Sequence, residues 1–161
     1  MEKVLASGRI YSFEKFESMR QRSIGRLLWR LKRHVHLHIA PLLEKRGYTD
    51  IKMSSISLLV NIEEEGITSS ELAKKLEVTK QAMSKAVKEL EETGYVYSCP
   101  SEKDARASII FLDDRGKEFL LDLNEEMQGM QARFEKAVSA KKYNQMVDTM
   151  CDLLAVLDAE E

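Results

Sequence analysis

The longest pattern in the chain runs from Phe13 to Arg46, where Ile24, Leu28, Leu31, Val35, His38 and Leu42 recur at alternating steps of four and three. That spacing draws one apolar stripe along a helix. Pro41 lacks a backbone donor and crowds the preceding turn, so it predicts a kink or a restart, and Gly47 a stop. A second helix is predicted from Met53 to Glu65, with Ile56, Leu59 and Val60 on one face and Gly66 at its end.

Shorter signals follow. Thr68 and Glu71 form a capping-box pattern ahead of a short helix, Ser69 to Leu76, that buries Leu72, Ala73 and Leu76. Glu77 and Val78 form a tight turn. Thr79 then caps a longer helix that reaches about Thr93 and stops at Gly94. Tyr95–Pro100 and Ala107–Leu112 read as strands, with the polar run 101–106 as the tip of a hairpin. Asp113 caps another long helix whose Leu120, Leu123, Met127, Met130, Phe134 and Ala137 form a heptad-like seam. Tyr143, Met146, Val147, Met150, Leu154 and Leu157 line a last helix in the same style, and Cys151 is expected to pack beside them.

Composition narrows the class. In 161 residues there are two prolines and seven glycines, which argues against an all-β sandwich and for long helices. Two cysteines, Cys99 and Cys151, cannot build a disulfide framework. The first sixteen residues lack an apolar stretch of signal-peptide length, and no run approaches the roughly 18 apolar residues that span a bilayer. The expectation is a cytoplasmic, mainly α protein with a small β-hairpin wing and no membrane association. The net charge of −2 is no signature of a nucleic-acid binder, but it hides a gradient: residues 1–50 carry +6, 51–110 carry −2 and 111–161 carry −6.

The short helix, turn, longer helix and hairpin follow the order of a winged helix-turn-helix. Such a fold needs a second helix with one face for packing, here Ala82, Met83, Ala86, Val87 and Leu90, and one face for the major groove. Lys80, Gln81, Ser84, Lys85 and Lys88 supply the second with no acid among them; acids appear only at Glu89, Glu91 and Glu92. Glutamine can pair bidentately with adenine, and lysine suits guanine or phosphate. At the hairpin tip, Asp104 is placed to orient Arg106, which with Lys103 suits phosphate or a narrow minor groove.

These stretches together resemble the MarR family of transcription regulators. The resemblance is carried by Ile67-Thr68-Ser69-Ser70-Glu71-Leu72-Ala73, Val78-Thr79-Lys80-Gln81-Ala82-Met83-Ser84, Leu90-Glu91-Glu92-Thr93-Gly94-Tyr95-Val96, Asp104-Ala105-Arg106 and Leu112-Asp113-Asp114-Arg115-Gly116. It implies a homodimer built by the terminal helices, with two winged lobes on one duplex. Thr79 to Lys88 would then enter the major groove and Arg106 the minor groove. Two positions depart from the family: Tyr97-Ser98-Cys99 stands where arginines are frequent, and Asp113 stands where threonine is common.

The seam of the last two helices would leave apolar stripes uncovered in a monomer, and a two-fold interface would cover them. The chain is therefore divided into an N-terminal dimerisation arm (1–50), a DNA-binding lobe (51–113) and C-terminal dimerisation helices (114–161). The expected partner is double-stranded DNA with a pseudo-palindromic site, its half-sites roughly 34–36 Å apart. His34 and His38 share a helix face, and in the resembled family small effectors bind near such a position. They are candidates for an effector pocket rather than a metal site, because no third and fourth ligand cluster with them.

Val35 excludes the zinc-protease pattern, Ser12–Lys15 lacks the companions of an S-x-x-K catalyst, and no phosphate loop is present. No cofactor and no enzymatic activity are expected. Two rival readings remain: a winged-helix adaptor that binds protein instead of DNA, and a regulator of the same fold triggered by metal or by oxidation at Cys99.

Overall fold

The computed structural model describes residues 2–101 and 108–160. The chain forms two compact units, Met1–Pro41 and Leu42–Glu161.

The first unit opens with a hairpin absent from the sequence expectation. Strands β1 (Glu2–Val4) and β2 (Ile10–Ser12) pair antiparallel, with Lys3 opposite Tyr11 and Val4 opposite Ile10. Gly8, at φ +77°, makes the turn. The Ser7-Gly8 step between two apolar runs is the one signal of it in the sequence.

The expected single helix over 13–46 is two helices, α1 (Phe13–Gln21) and α2 (Ile24–Lys45). Ser12 caps the first, accepting a hydrogen bond from the Lys15 amide. The break falls at Arg22 and Ser23, and the Ser23 carbonyl accepts the Leu27 amide to start α2. Pro41 does not end α2, which continues to Lys45. Leu37, whose carbonyl loses its helical partner to Pro41, is solvent-exposed like the proline itself, so water can replace the missing bond.

The second unit is a winged lobe followed by two long helices. Helix α3 spans Met53–Leu59 and stops six residues before the expected end. A longer helix would have set Glu63, Glu64 and Glu65 at its C-terminus, where the helix dipole is already negative. Asn61 also turns its side-chain amide back to the Ser57 carbonyl, 2.7 Å away. After a turn closed by Gly66, β3 (Ile67–Thr68) leads into α4 (Ser69–Lys75). The capping box is complete: Glu71 N donates to Thr68 Oγ1 at 3.2 Å, and Thr68 N donates to Glu71 Oε2 at 3.0 Å.

Glu77, at φ +53°, makes the sharp turn into α5 (Lys80–Glu92). Gly94, at φ +75°, turns the chain into β4 (Val96–Pro100), and β5 (Ser108–Leu112) returns antiparallel beside it. The sheet order is β3-β5-β4, with Tyr97 opposite Phe111 and Ile67 opposite Ile110. Alternation along the strands turns Val96 and Ile110 inward, and with Leu58, Leu59, Leu72, Met83, Val87, Leu90, Tyr95 and Phe119 they form the lobe core.

Asp113 caps α6 (Asp114–Val138), accepting from the Asp114 amide at 2.7 Å, and α7 (Ala140–Asp158) turns back along it. Of the α6 seam only Met130 is buried. No residue of α7 is buried, and Cys151, expected to pack, is exposed. Leu153, Leu154, Val156 and Leu157 lie open. Among the described residues no helix is long and apolar enough to cross a membrane.

Candidate nucleic-acid interface

Helix α5 divides its two faces much as its sequence pattern suggests. Met83, Val87 and Leu90 are buried, while Thr79, Lys80, Gln81, Ser84, Lys85 and Lys88 are all exposed. Gln81, Ser84, Lys85 and Lys88 stand at i, i+3, i+4 and i+7, so they share one stripe of the helix. Lys80 flanks them in the first turn. Ala82, expected on the packing face, is exposed instead.

Thr79 starts the helix, its Oγ1 accepting the Ala82 amide at 3.1 Å. The amide-rich N-terminus of α5 therefore lies at the same end as Lys80, Gln81 and Ser84, and both favour an anionic neighbour.

One acid of the same helix is held by a lysine outside it. Glu89 accepts a hydrogen bond from Lys52, which holds its carboxyl below the usual range, with the Lys85 charge adding to the effect. Lys88 approaches Glu92 only loosely, at 3.9 Å on the exposed surface; such pairs contribute little. The stripe thus retains its positive character.

Lys103, Asp104 and Arg106, the predicted wing contacts, lie outside the described residues. Strands β4 and β5 are tied by the stacked Tyr97 and Phe111 rings, whose centroids are 5.4 Å apart. Gly66 presses its backbone on β5: a Cβ there would meet Ile109 Cγ2 at 2.5 Å and Phe111 Cε1 at 2.7 Å. Below the strands, a hollow of about 400 Å³ is lined by Ile62, Glu63, Glu64, Tyr97, Phe111, Leu112 and Lys117. Cys99 is exposed on β4.

His34 is exposed and His38 half-buried. A separate hollow on α2, of about 250 Å³, is lined by Trp29, Lys32, Arg33 and His36. It includes the one histidine that helical spacing sets apart from the other two.

A polar cluster with no counterpart in the sequence expectation lies at the far end of α5. Arg115 donates to both carboxylate oxygens of Asp50, at 2.9 Å each, and to the Thr93 carbonyl at 2.6 Å. Its guanidinium carbon lies 4.4 Å from the centre of the Tyr95 ring, and Tyr95 donates its hydroxyl to Asp50 at 2.9 Å. Burial pushes the Asp50 carboxyl up, but the hydrogen bonds from Tyr95 and Arg115 outweigh it and leave the group below its ordinary value. Tyr48 donates to Asp122 at 2.6 Å, and burial together with that carboxylate raises its hydroxyl to about 12. Beside it, Arg46 reaches Asp122, Glu125 and Glu126 on α6. Arg115 stands within a family-like motif, but nothing in the periodicity links it to Asp50.

A three-stranded wing beside a helix-turn-helix, with a cationic stripe on its second helix, defines the winged helix-turn-helix class. Residues 49–107 match the model of the MarR family. The fold also resembles a MarR transcriptional regulator from Methanosarcina mazei (22% identity, TM-score 0.70, covering 86% of this chain and 98% of that one). It resembles the transcriptional regulator Tm0710 from Thermotoga maritima as well (23% identity, TM-score 0.59, 84% and 94% covered). A third similar structure is the PcaV regulator from Streptomyces coelicolor in complex with its natural ligand (18% identity, TM-score 0.65, 88% and 96% covered). No curated protein sequence matches the chain.

Proposed function

We propose that this protein is a dimeric, sequence-specific regulator of transcription that binds double-stranded DNA and acts as a repressor. The observation that carries this reading is the exposed, acid-free stripe Gln81, Ser84, Lys85 and Lys88 at the capped end of α5. Side chains of this kind, on a helix whose opposite face is locked into a core, can meet base edges and phosphates in a major groove. Thr79 and Lys80 add phosphate contacts at the helix start, and Lys103 and Arg106, the latter oriented by Asp104, form the wing contact in the minor groove.

The dimer is supported by apolar surface that a monomer leaves open on α2 and α7, including Leu27, Leu28, Leu154 and Leu157. In functional terms residues 1–50 and 114–161 assemble the dimer and 51–113 bind the duplex. A small-molecule effector, held near His34 and His38, would release DNA by favouring one spacing of the two lobes over another.

Fluorescence anisotropy of the full chain against a duplex library, at two salt concentrations, tests the reading. A regulator selects a pseudo-palindromic site, and its affinity falls with salt by a slope of about −0.9 per phosphate neutralised. Native mass spectrometry of the bound species should give two chains per duplex. Binding that ignores sequence, or no binding at all, would favour the protein-adaptor reading instead.

A further inference from the structure

The cluster around Arg115 joins three segments that are distant in sequence. Asp50 belongs to the loop after α2, Thr93 ends α5, and Arg115 lies in the first turn of α6. A helix leaves its last carbonyls without internal partners, and a cation there also complements the dipole. Arg115 takes one of those carbonyls while two more of its donors stay on Asp50. A second tie runs from the same loop to the same helix, from Lys52 to Glu89. Thr93 Oγ1 closes the turn between them, donating to the Glu89 carbonyl at 2.9 Å.

Resting on the DNA-binding reading above, we propose that Arg115 is a positioning residue for the recognition helix. Seated on Asp50, it holds the Thr93 carbonyl and fixes the direction in which α5 projects from the lobe, without touching DNA. The stripe on α5 and the Arg115 cluster occupy opposite ends of a thirteen-residue helix, so a small change of tilt at Thr93 moves Gln81 and Lys80 most. Site-specific pairing depends on that placement, whereas loose attraction to phosphate does not. A lysine cannot replace the guanidinium, because a single ammonium cannot span both Asp50 oxygens and the carbonyl in one plane.

The test uses the full chain with Arg115→Lys and Asp50→Asn, singly and together, against the selected site and an unrelated duplex. Arg115→Lys should weaken the selected site about tenfold, about 1.4 kcal/mol. It should leave the unrelated duplex within about twofold and the salt slope unchanged, because no phosphate contact is lost. The double variant should lose little more than either single one, as expected for groups acting together.

An unchanged ratio between the two duplexes would overturn the proposal. So would a slope reduced by about 0.9, the mark of a direct phosphate contact, or an equal loss on both duplexes that follows the lost folded fraction. Should the wild-type chain bind no duplex, the functional reading fails and hydrogen exchange decides the positioning role alone. Arg115→Lys should then speed exchange at residues 90–96 with Leu72 and Ala73 unaffected, and uniform or absent change would overturn it.

Discussion

Gly116 lies so close to Tyr95 that a Cβ on the glycine would stand 2.1 Å from the Tyr95 carbonyl oxygen. The same carbonyl accepts the Asp113 amide at 3.0 Å, so α6 begins against the residue that leads from α5 into β4. The obstacle is backbone, and no rotamer change can clear it. Gly116→Ala should therefore destabilise the lobe by roughly 1–3 kcal/mol, the usual cost of overpacking. In thermal unfolding followed by circular dichroism that is a fall of several degrees, since about 1 kcal/mol shifts a chain of this size by roughly 2–4 °C. An unchanged midpoint would show that α6 can withdraw without loss.

Gly116 also marks where the information in the sequence stops. The glycine belongs to a legible motif, but the reason for it, the close approach to Tyr95, exists only once α6 has met the residue that leads into β4. What is legible depends on local chemistry: Thr68, Thr79 and Asp113 act as caps within three residues of their partners, and Met83, Val87 and Leu90 face inward by periodicity alone. The Asp50–Arg115 pair spans 65 positions and leaves no periodic trace. Helix α3 ends earlier than its pattern predicts because charge at a helix terminus outweighs the apolar face of Ile56, Leu59 and Val60.

Lys85 and Gln81 share a stripe on α5 but should fail differently when removed. Lys85→Ala should weaken every duplex alike and lower the salt slope by about 0.9. Gln81→Ala should keep the slope and relax preference at one base pair, losing about 1–3 kcal/mol of discrimination. Anisotropy titrations of the selected site, a single-base variant of it and an unrelated duplex separate the two. If both substitutions gave the same pattern, the stripe would not be reading bases.

Thr79 has two prospective roles, cap and phosphate contact, and they can be separated without DNA. Thr79→Ala removes the acceptor for the Ala82 amide and should cost about 0.5–2 kcal/mol in urea unfolding, whereas Thr79→Ser keeps the hydroxyl and should cost far less. Equal losses would mean that the methyl group, not the cap, is what matters.

The Asp50 carboxylate makes the lobe sensitive to acid in a definite direction. Its folded-state pKa is depressed because hydrogen bonds from Tyr95 and Arg115 overcome the effect of burial. A depressed acid contributes stability that is fully present above its unfolded value, about 3.9. That contribution is lost as the pH falls through this value and then through the lower folded one. Urea unfolding of the wild type and Asp50→Asn, compared at pH 7, 5, 4 and 3, isolates this group because the other carboxylates are common to both. The gap between the two proteins should be constant from pH 7 to 5, narrow from about pH 4 and close further at pH 3. Asp50 is partly open to solvent, so the gap should also shrink in concentrated salt. A gap that stayed constant from pH 7 to pH 3 would show that Asp50 acts through shape rather than charge, and that its two bonds to Arg115 are not the source of its stability.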